Sequence, residues 1–159
     1  MPPQLVFDIS HLNLAGPPMW DIEAVRAVNP QRGDMEHING VLWANPDEGR
    51  IVSYKDVRDD EFWVPGHIPG RPLLPGVIMI EAAAQMCSFY MRMFTKWTGF
   101  IGFGGAQDIK FRQQVLPGCR MIILGQKVWE RHSRFGCKTQ GIVNGNIAFE
   151  AEIIGTALG

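Results

Sequence analysis

The stretch WVPGHIPGRPLLPGVIMIEAAAQ, Trp63 to Gln85, decides the reading of this chain. It opens as a Pro/Gly-rich loop and closes as a helix that is apolar all round. Between Pro72 and Met91 the only charged residue is Glu81. A helix with no polar face is a buried helix, and a glutamate is almost never fully buried unless it is paired or used. Pro75 suits the first helical position, where its missing N–H is no loss. Gln85 and Ser88 follow Glu81 at i+4 and i+7, so the three share one face. His67 lies in the loop fourteen residues before Glu81. A single loop histidine usually does no more than meet solvent, so His67 draws its meaning from its company. An unpaired buried carboxylate costs several kcal/mol and is kept where it is paired, protonated or used. Gly66, Gly70 and Gly76 let backbone approach a ligand, while Pro65, Pro69, Pro72 and Pro75 stiffen the loop. A rigid loop feeding a helix N-terminus is a place to hold an oxyanion.

On these residues the chain resembles the hot-dog-fold (3R)-hydroxyacyl-[acyl carrier protein] dehydratases of bacterial type II fatty acid synthesis. The resemblance rests on PGHIPGRPLLPGV followed by IEAAAQ. It extends through Phe103-Gly104-Gly105, Ile109 to Arg112, Val115 to Gly118 and Ala148 to Ile154, about residues 20 to 157 in all. It implies His67 and Glu81 as the catalytic pair, acting across a dimer interface, with three dimers commonly forming a hexamer. It implies an acyl tunnel along the helix, for which Met79, Met86 and Phe89 are suited, although their helical spacing favours plain core over tunnel lining. The substrate would arrive on the phosphopantetheine of an acidic acyl carrier protein, with Lys110, Arg112 and Arg120 as docking candidates. Isomerising relatives carry Asp at the acid position, so Glu81 leans towards dehydration alone.

The chemistry follows from the side chains. Eliminating water from a β-hydroxyacyl thioester needs a base for the α-proton, an acid for the departing hydroxyl and donors for the thioester oxygen. An imidazole can accept and give up a proton near neutral pH, so a histidine such as His67 suits the base. Glu81, set in an apolar helix, is expected to hold its proton through desolvation and act as acid. The N–H groups of Gly76 and Val77 are placed for the oxygen, and Gln85 to orient Glu81. No metal or organic cofactor is called for. A hot-dog thioesterase, a coenzyme A-ester hydratase and a non-catalytic acyl-binding protein remain alternatives. A thioesterase has no need of the paired loop histidine, and a pure binder no need of a buried acid.

Composition bounds the rest. The chain has 159 residues, enough for one domain with a substantial core. Its 15 basic and 16 acidic residues give no polyanion-binding surface, so no nucleic acid is expected. Cys87, Cys119 and Cys137 are odd in number and widely spaced, which suits buried thiols in a reducing cytoplasm. No secretory signal is read at the start. Leu73 to Met91 approaches a membrane span in length, but Pro75, Gly76, Glu81 and Gln85 argue for burial in protein.

Residues 1–18 read as an N-terminal extension packed loosely on a single domain, 19–159. Met19 to Val28 is expected as a helix burying Trp20, Ala24, Ala27 and Val28, ended by Asn29-Pro30. Strands are expected at 38–44, 50–57, 100–105, 107–115, 119–130, 135–144 and 146–156, with Trp97-Thr98-Gly99 stopping the long helix. The charged run Lys55 to Glu61 reads as a solvated strand end. The sum is an α+β domain, a long central helix wrapped by an antiparallel sheet. One segment departs from the family pattern of Pro-His-Arg followed by an apolar run. Here it is Pro30-Gln31-Arg32 and then Gly33 to Asn39, with Glu36 and His37 at normally apolar positions. They read as a local pair at a strand edge, or as groups that reshape the tunnel or the dimer contact. His11 and His132 have no acidic or cysteine company and read as structural.

Overall fold

A computed structural model describes residues 3–158; Met1, Pro2 and Gly159, the outermost residues of the expected extension and domain, lie outside the described residues. In order come α1 (Ile22–Val28), a 3-10 turn (Gly33–Met35), β1 (Gly40–Asn45), β2 (Arg50–Asp56) and α2 (Gly76–Phe94). Then follow β3 (Ile101–Phe111), β4 (Arg120–Arg131), β5 (Arg134–Val143) and β6 (Asn146–Ala157). The strands form one six-stranded sheet in the order β1-β2-β4-β5-β6-β3, with every pairing antiparallel. The α+β architecture expected from the sequence is present.

Strand alternation divides the buried residues between two clusters. Val41, Ile51, Met121 and Ile123 face α2 and pack with Met79, Met86 and Phe89. Leu42, Val52, Tyr54, Ile122 and Leu124 face the other way. That second face is covered by the N-terminal segment, so the packing there is not loose. Phe7 is buried in the second cluster with Val6, Ile9, Leu12 and Leu14 packed beside it. The Val6 N–H donates to Gln140 Oε1 at 2.9 Å, and Gln140 Nε2 donates back to the Gln4 carbonyl at 2.9 Å.

Several boundaries move for identifiable reasons. Helix α1 starts later than expected because Asp21 caps it, accepting from Ala24 N–H at 2.9 Å. Its buried residue is Val25, and Ala27 is exposed. Trp20 instead lies extended and bridges to Val41. Pro75 is the N-cap of α2, one position before the expected one. The strands expected at 100–105 and 107–115 are one irregular strand, whose register shifts at Phe103/Gly105 and Gln107/Lys110. The α2 helix ends at Phe94, ahead of the expected stop, with Thr95 as C-cap and the chain turning at Gly99 (φ 77°). Among the described residues no helix is long and apolar enough to cross a membrane.

Candidate active site

The His67 loop is shaped by short-range backbone bonds: His67 N–H to Trp63 O at 2.9 Å and Arg71 N–H to Ile68 O at 2.9 Å. The imidazole Nδ1 lies 2.8 Å from the Leu73 carbonyl. A carbonyl only accepts, so Nδ1 carries the proton and Nε2 is left with its lone pair. The ring is exposed and lines a cavity of about 530 Å³ with Leu73, Gly76, Val77, Met79 and Phe111. In this cavity begins α2. The Ile78 and Met79 N–H groups both reach Pro75 O, at 3.0 and 3.2 Å, whereas those of Gly76 and Val77 precede the first intrahelical bonds. Gly76 permits close approach, since a Cβ there would sit 2.7 Å from the Phe111 ring.

Glu81 lies a turn and a half along α2 and opens into a different cavity of about 220 Å³, shared with Gln31, Ala84, Gln85, Ser88 and Phe103. The expected common face of Glu81, Gln85 and Ser88 is therefore real. In the single chain Glu81 is half-buried, less than an apolar helix suggests. Gln85 Nε2 donates to Glu81 Oε2 at 2.8 Å and to the Met35 carbonyl at 2.7 Å, while Gln85 Oε1 accepts from His37 N–H at 3.0 Å. His67 and Glu81 thus lie in separate cavities of one chain.

The unusual 33–39 segment does not form the expected local pair. Glu36 and His37 point in opposite directions, as adjacent residues of extended chain do. Glu36 forms a bidentate pair with Arg26, Nε–Oε2 2.5 Å and Nη2–Oε1 2.9 Å. That guanidinium holds the Glu36 carboxyl below the ordinary carboxylate range. His37 is 1% exposed, with Nδ1 3.3 Å from Lys55 Nζ. Lys55 and Glu61, expected in solvent, form a buried ion pair at 2.6 Å with side chains 2% and 5% exposed. Only Arg58 to Asp60 between them is exposed. The period-2 pattern of β2 carried this signal, because Lys55 shares the inward face with Ile51 and Ser53.

The docking candidates do not form one patch. Arg112, just past the end of β3, pairs with Glu150 at 2.6 Å and lines the His67 cavity, with Lys110 exposed two residues before it. Arg120 lies on β4, separated from β3 by β5 and β6. Its guanidinium donates to both Asp56 oxygens and to Leu14 O and stacks over Tyr54 at 3.9 Å. Met86 and Phe89 are core, while Met79, also buried, reaches the His67 cavity. Cys87 and Cys137 are buried and Cys119 is half-buried. His11 packs edge-on to Trp43, and His132 sits in the β4–β5 turn at φ 54°.

A long helix wrapped by an antiparallel sheet, with a Pro/Gly loop feeding its N-terminus, defines the hot-dog class. The dehydratase heterocomplex ApeI:P from Xenorhabdus doucetiae has this fold, with a TM-score of 0.70 at 13% identity over 85% of this chain and 91% of that one. The FabA-like domain family matches residues 29–153, and the chain belongs to that family. Among its relatives is the 3-hydroxyacyl-[acyl-carrier-protein] dehydratase FabZ of Acinetobacter baylyi, 31% identical over 138 residues, 84% of this chain and 92% of the relative. The FabZ of Desulforamulus reducens is 33% identical over 138 residues, 86% and 96% of the two chains.

Proposed function

We propose that this protein dehydrates (3R)-3-hydroxyacyl-[acyl carrier protein] to the trans-2-enoyl thioester in fatty acid or related lipid biosynthesis. His67 Nε2 takes the α-proton, and the Gly76 and Val77 N–H groups receive the charge that develops on the thioester oxygen. Glu81 gives a proton to the departing β-hydroxyl, which leaves as water as the double bond forms. Imidazolium and carboxylate then return to their starting states by exchange with solvent. The observation that carries this reading is complementary polarity. His67 presents a lone pair because its other nitrogen is committed to Leu73 O. Glu81 accepts from Gln85 on Oε2, which leaves Oε1 to face the substrate hydroxyl.

Two cavities with half a catalytic set each support a site built from His67 of one subunit and Glu81 of its partner. Val77, 74% exposed, and Phe103 and Phe111, 50% and 52% exposed, lie on the β3 side, where the sheet ends in an open edge. A homodimer covers that surface, and a trimer of dimers is the expected assembly. The substrate arrives on the phosphopantetheine of acyl carrier protein, docked by Lys110 and Arg112, with Arg120 committed to Asp56 and Leu14. The reaction calls on no metal or organic cofactor, and its setting is the cytoplasm. The test is hydration of a crotonyl carrier-protein thioester by wild type, His67→Ala and Glu81→Gln. Turnover lost in both variants supports the reading; folded wild type without turnover on short or long chains removes it.

A further inference from the structure

The molecule buries one polar cluster that this reaction does not use: His37, Lys55 and Glu61. Burying charge is expensive, and much of the cluster fixes the backbone around it. Glu61 Oε2 accepts from Arg58 N–H at 2.9 Å, and Oε1 accepts from Trp63 Nε1–H at 3.3 Å as well as from Lys55. At the other end, Lys55 donates towards His37 Nδ1, so the His37 proton is on Nε2, a buried atom without a partner among the described residues. The His37 main-chain N–H then meets Gln85.

Gln85 is where the cluster reaches the site. Its amide is saturated by three bonds: one N–H on Met35 O, one on Glu81 Oε2, and the oxygen on His37 N–H. Rotating the amide by half a turn would set oxygen against the Met35 carbonyl and the Glu81 carboxyl, and NH2 against the His37 N–H. The Met35 to His37 backbone therefore decides that Glu81 faces a donor. Two side chains pin that backbone from opposite sides, Glu36 on Arg26 and His37 on Lys55.

We infer that His37, held by Lys55, is a positioning residue that keeps Gln85 Nε2 directed at the Glu81 carboxyl. The inference rests on Glu81 being the acid of the proposed reaction. The groups facing His37 are Lys55 from β2, Glu61 from the following loop and Asp34 from the 3-10 turn. Burial first, and then the Lys55 charge, push the ring down to about 4, so it stays neutral near pH 7 and serves as a fixed acceptor.

His37→Leu keeps bulk and the main-chain N–H but deletes the acceptor; His37→Asn restores one. The expected result for His37→Leu is a fall in kcat of about tenfold with KM little changed. The Glu81 carboxyl, followed by carbon-13 NMR in glutamate-labelled protein, should titrate at higher pH because its donor is displaced. His37→Asn should recover both. On a Gln85→Leu background, His37→Leu should change neither further. If leucine is not tolerated, His37→Ala is read in the same way. Unchanged kcat and an unchanged Glu81 titration, with only thermal stability reduced, would overturn the inference, as would equal losses in both backgrounds. If wild type does not dehydrate the thioester yet the Glu81 titration still moves with residue 37, the positioning stands and the proposed reaction falls.

Discussion

The two halves of the candidate site are held by opposite means. His67 sits in an exposed loop, and its ring is oriented by one main-chain carbonyl six residues away. Glu81 sits on a buried helix, held by Gln85, whose own partners lie 48 and 50 residues from it in sequence. Prolines and tight local bonds give the first half its rigidity. The second gets its rigidity from a polar relay that exists only once α2, β2 and the 33–39 segment have come together. A local device tolerates change elsewhere in the molecule; a relay transmits it.

Breaking each half directly should give the largest effects. His67→Ala removes the base and should lower kcat/KM by about 10²–10⁴-fold, measured by enoyl formation or its reverse at constant substrate. Glu81→Gln keeps the hydrogen-bonding outline but not the acid, and should fall in the same range. Mixing the two inactive proteins under subunit exchange sharpens the comparison. If each site takes His67 from one chain and Glu81 from another, a heterodimer contains one intact site, and activity should return to about a quarter of wild type. No recovery in exchanged, size-verified heterodimers would place both residues in the same chain's site.

Acid should act on the Glu81 side through His37. The folded-state pKa of His37 is depressed from 6.5 to about 4, so the unfolded chain binds that proton more readily. Stability is therefore full above pH 6.5 and falls as pH drops towards 4, by at most about 3 kcal/mol for this group. His37→Leu should flatten that limb in urea unfolding measured across the range. Burial pushes the Glu61 carboxyl up, but the Lys55 ammonium together with the Arg58 and Trp63 N–H donors holds it low, and it adds its own loss at lower pH. A His37→Leu protein with the full acid-induced loss between pH 6.5 and 4 would assign the effect elsewhere.

The same contrast explains what was legible in the sequence. The loop's signals are local: prolines fix φ, glycines admit close approach, and a lone Glu in an apolar helix stands out without knowing its neighbours. So the helix, the sheet and the face shared by Glu81, Gln85 and Ser88 could be read from residue order. The buried Lys55–Glu61 pair could not, because a Lys-to-Glu run of charges looks the same in solvent as in a core until the partner elements close over it. Only the inward parity of residue 55 on β2 hinted at it. Glu36 and His37 misled for a related reason: neighbours in sequence look like partners, but extended chain sends them to opposite sides. Phe7 carried too little local pattern to announce that the N-terminal segment covers the outer face of the sheet.

The smallest effect belongs to the rim of the His67 cavity. Lys110, on β3, and Arg112, just past its end, are exposed, and Arg112 already has Glu150 at 2.6 Å. Replacing both with alanine removes charge but no core contact, so stability should scarcely change. A docking role predicts a rise in KM of severalfold for the carrier-protein thioester at low salt. The difference should shrink as salt screens the attraction, while the same acyl group on a small pantetheine thioester turns over as before. Equal KM changes on both substrates would mean that the substitutions disturb the cavity itself, where Arg112 lies beside Phe111 and His67. Arg120→Ala serves as the contrast. Its guanidinium is tied to Asp56, Leu14 and Tyr54, so it should lower stability and leave the salt dependence of KM intact.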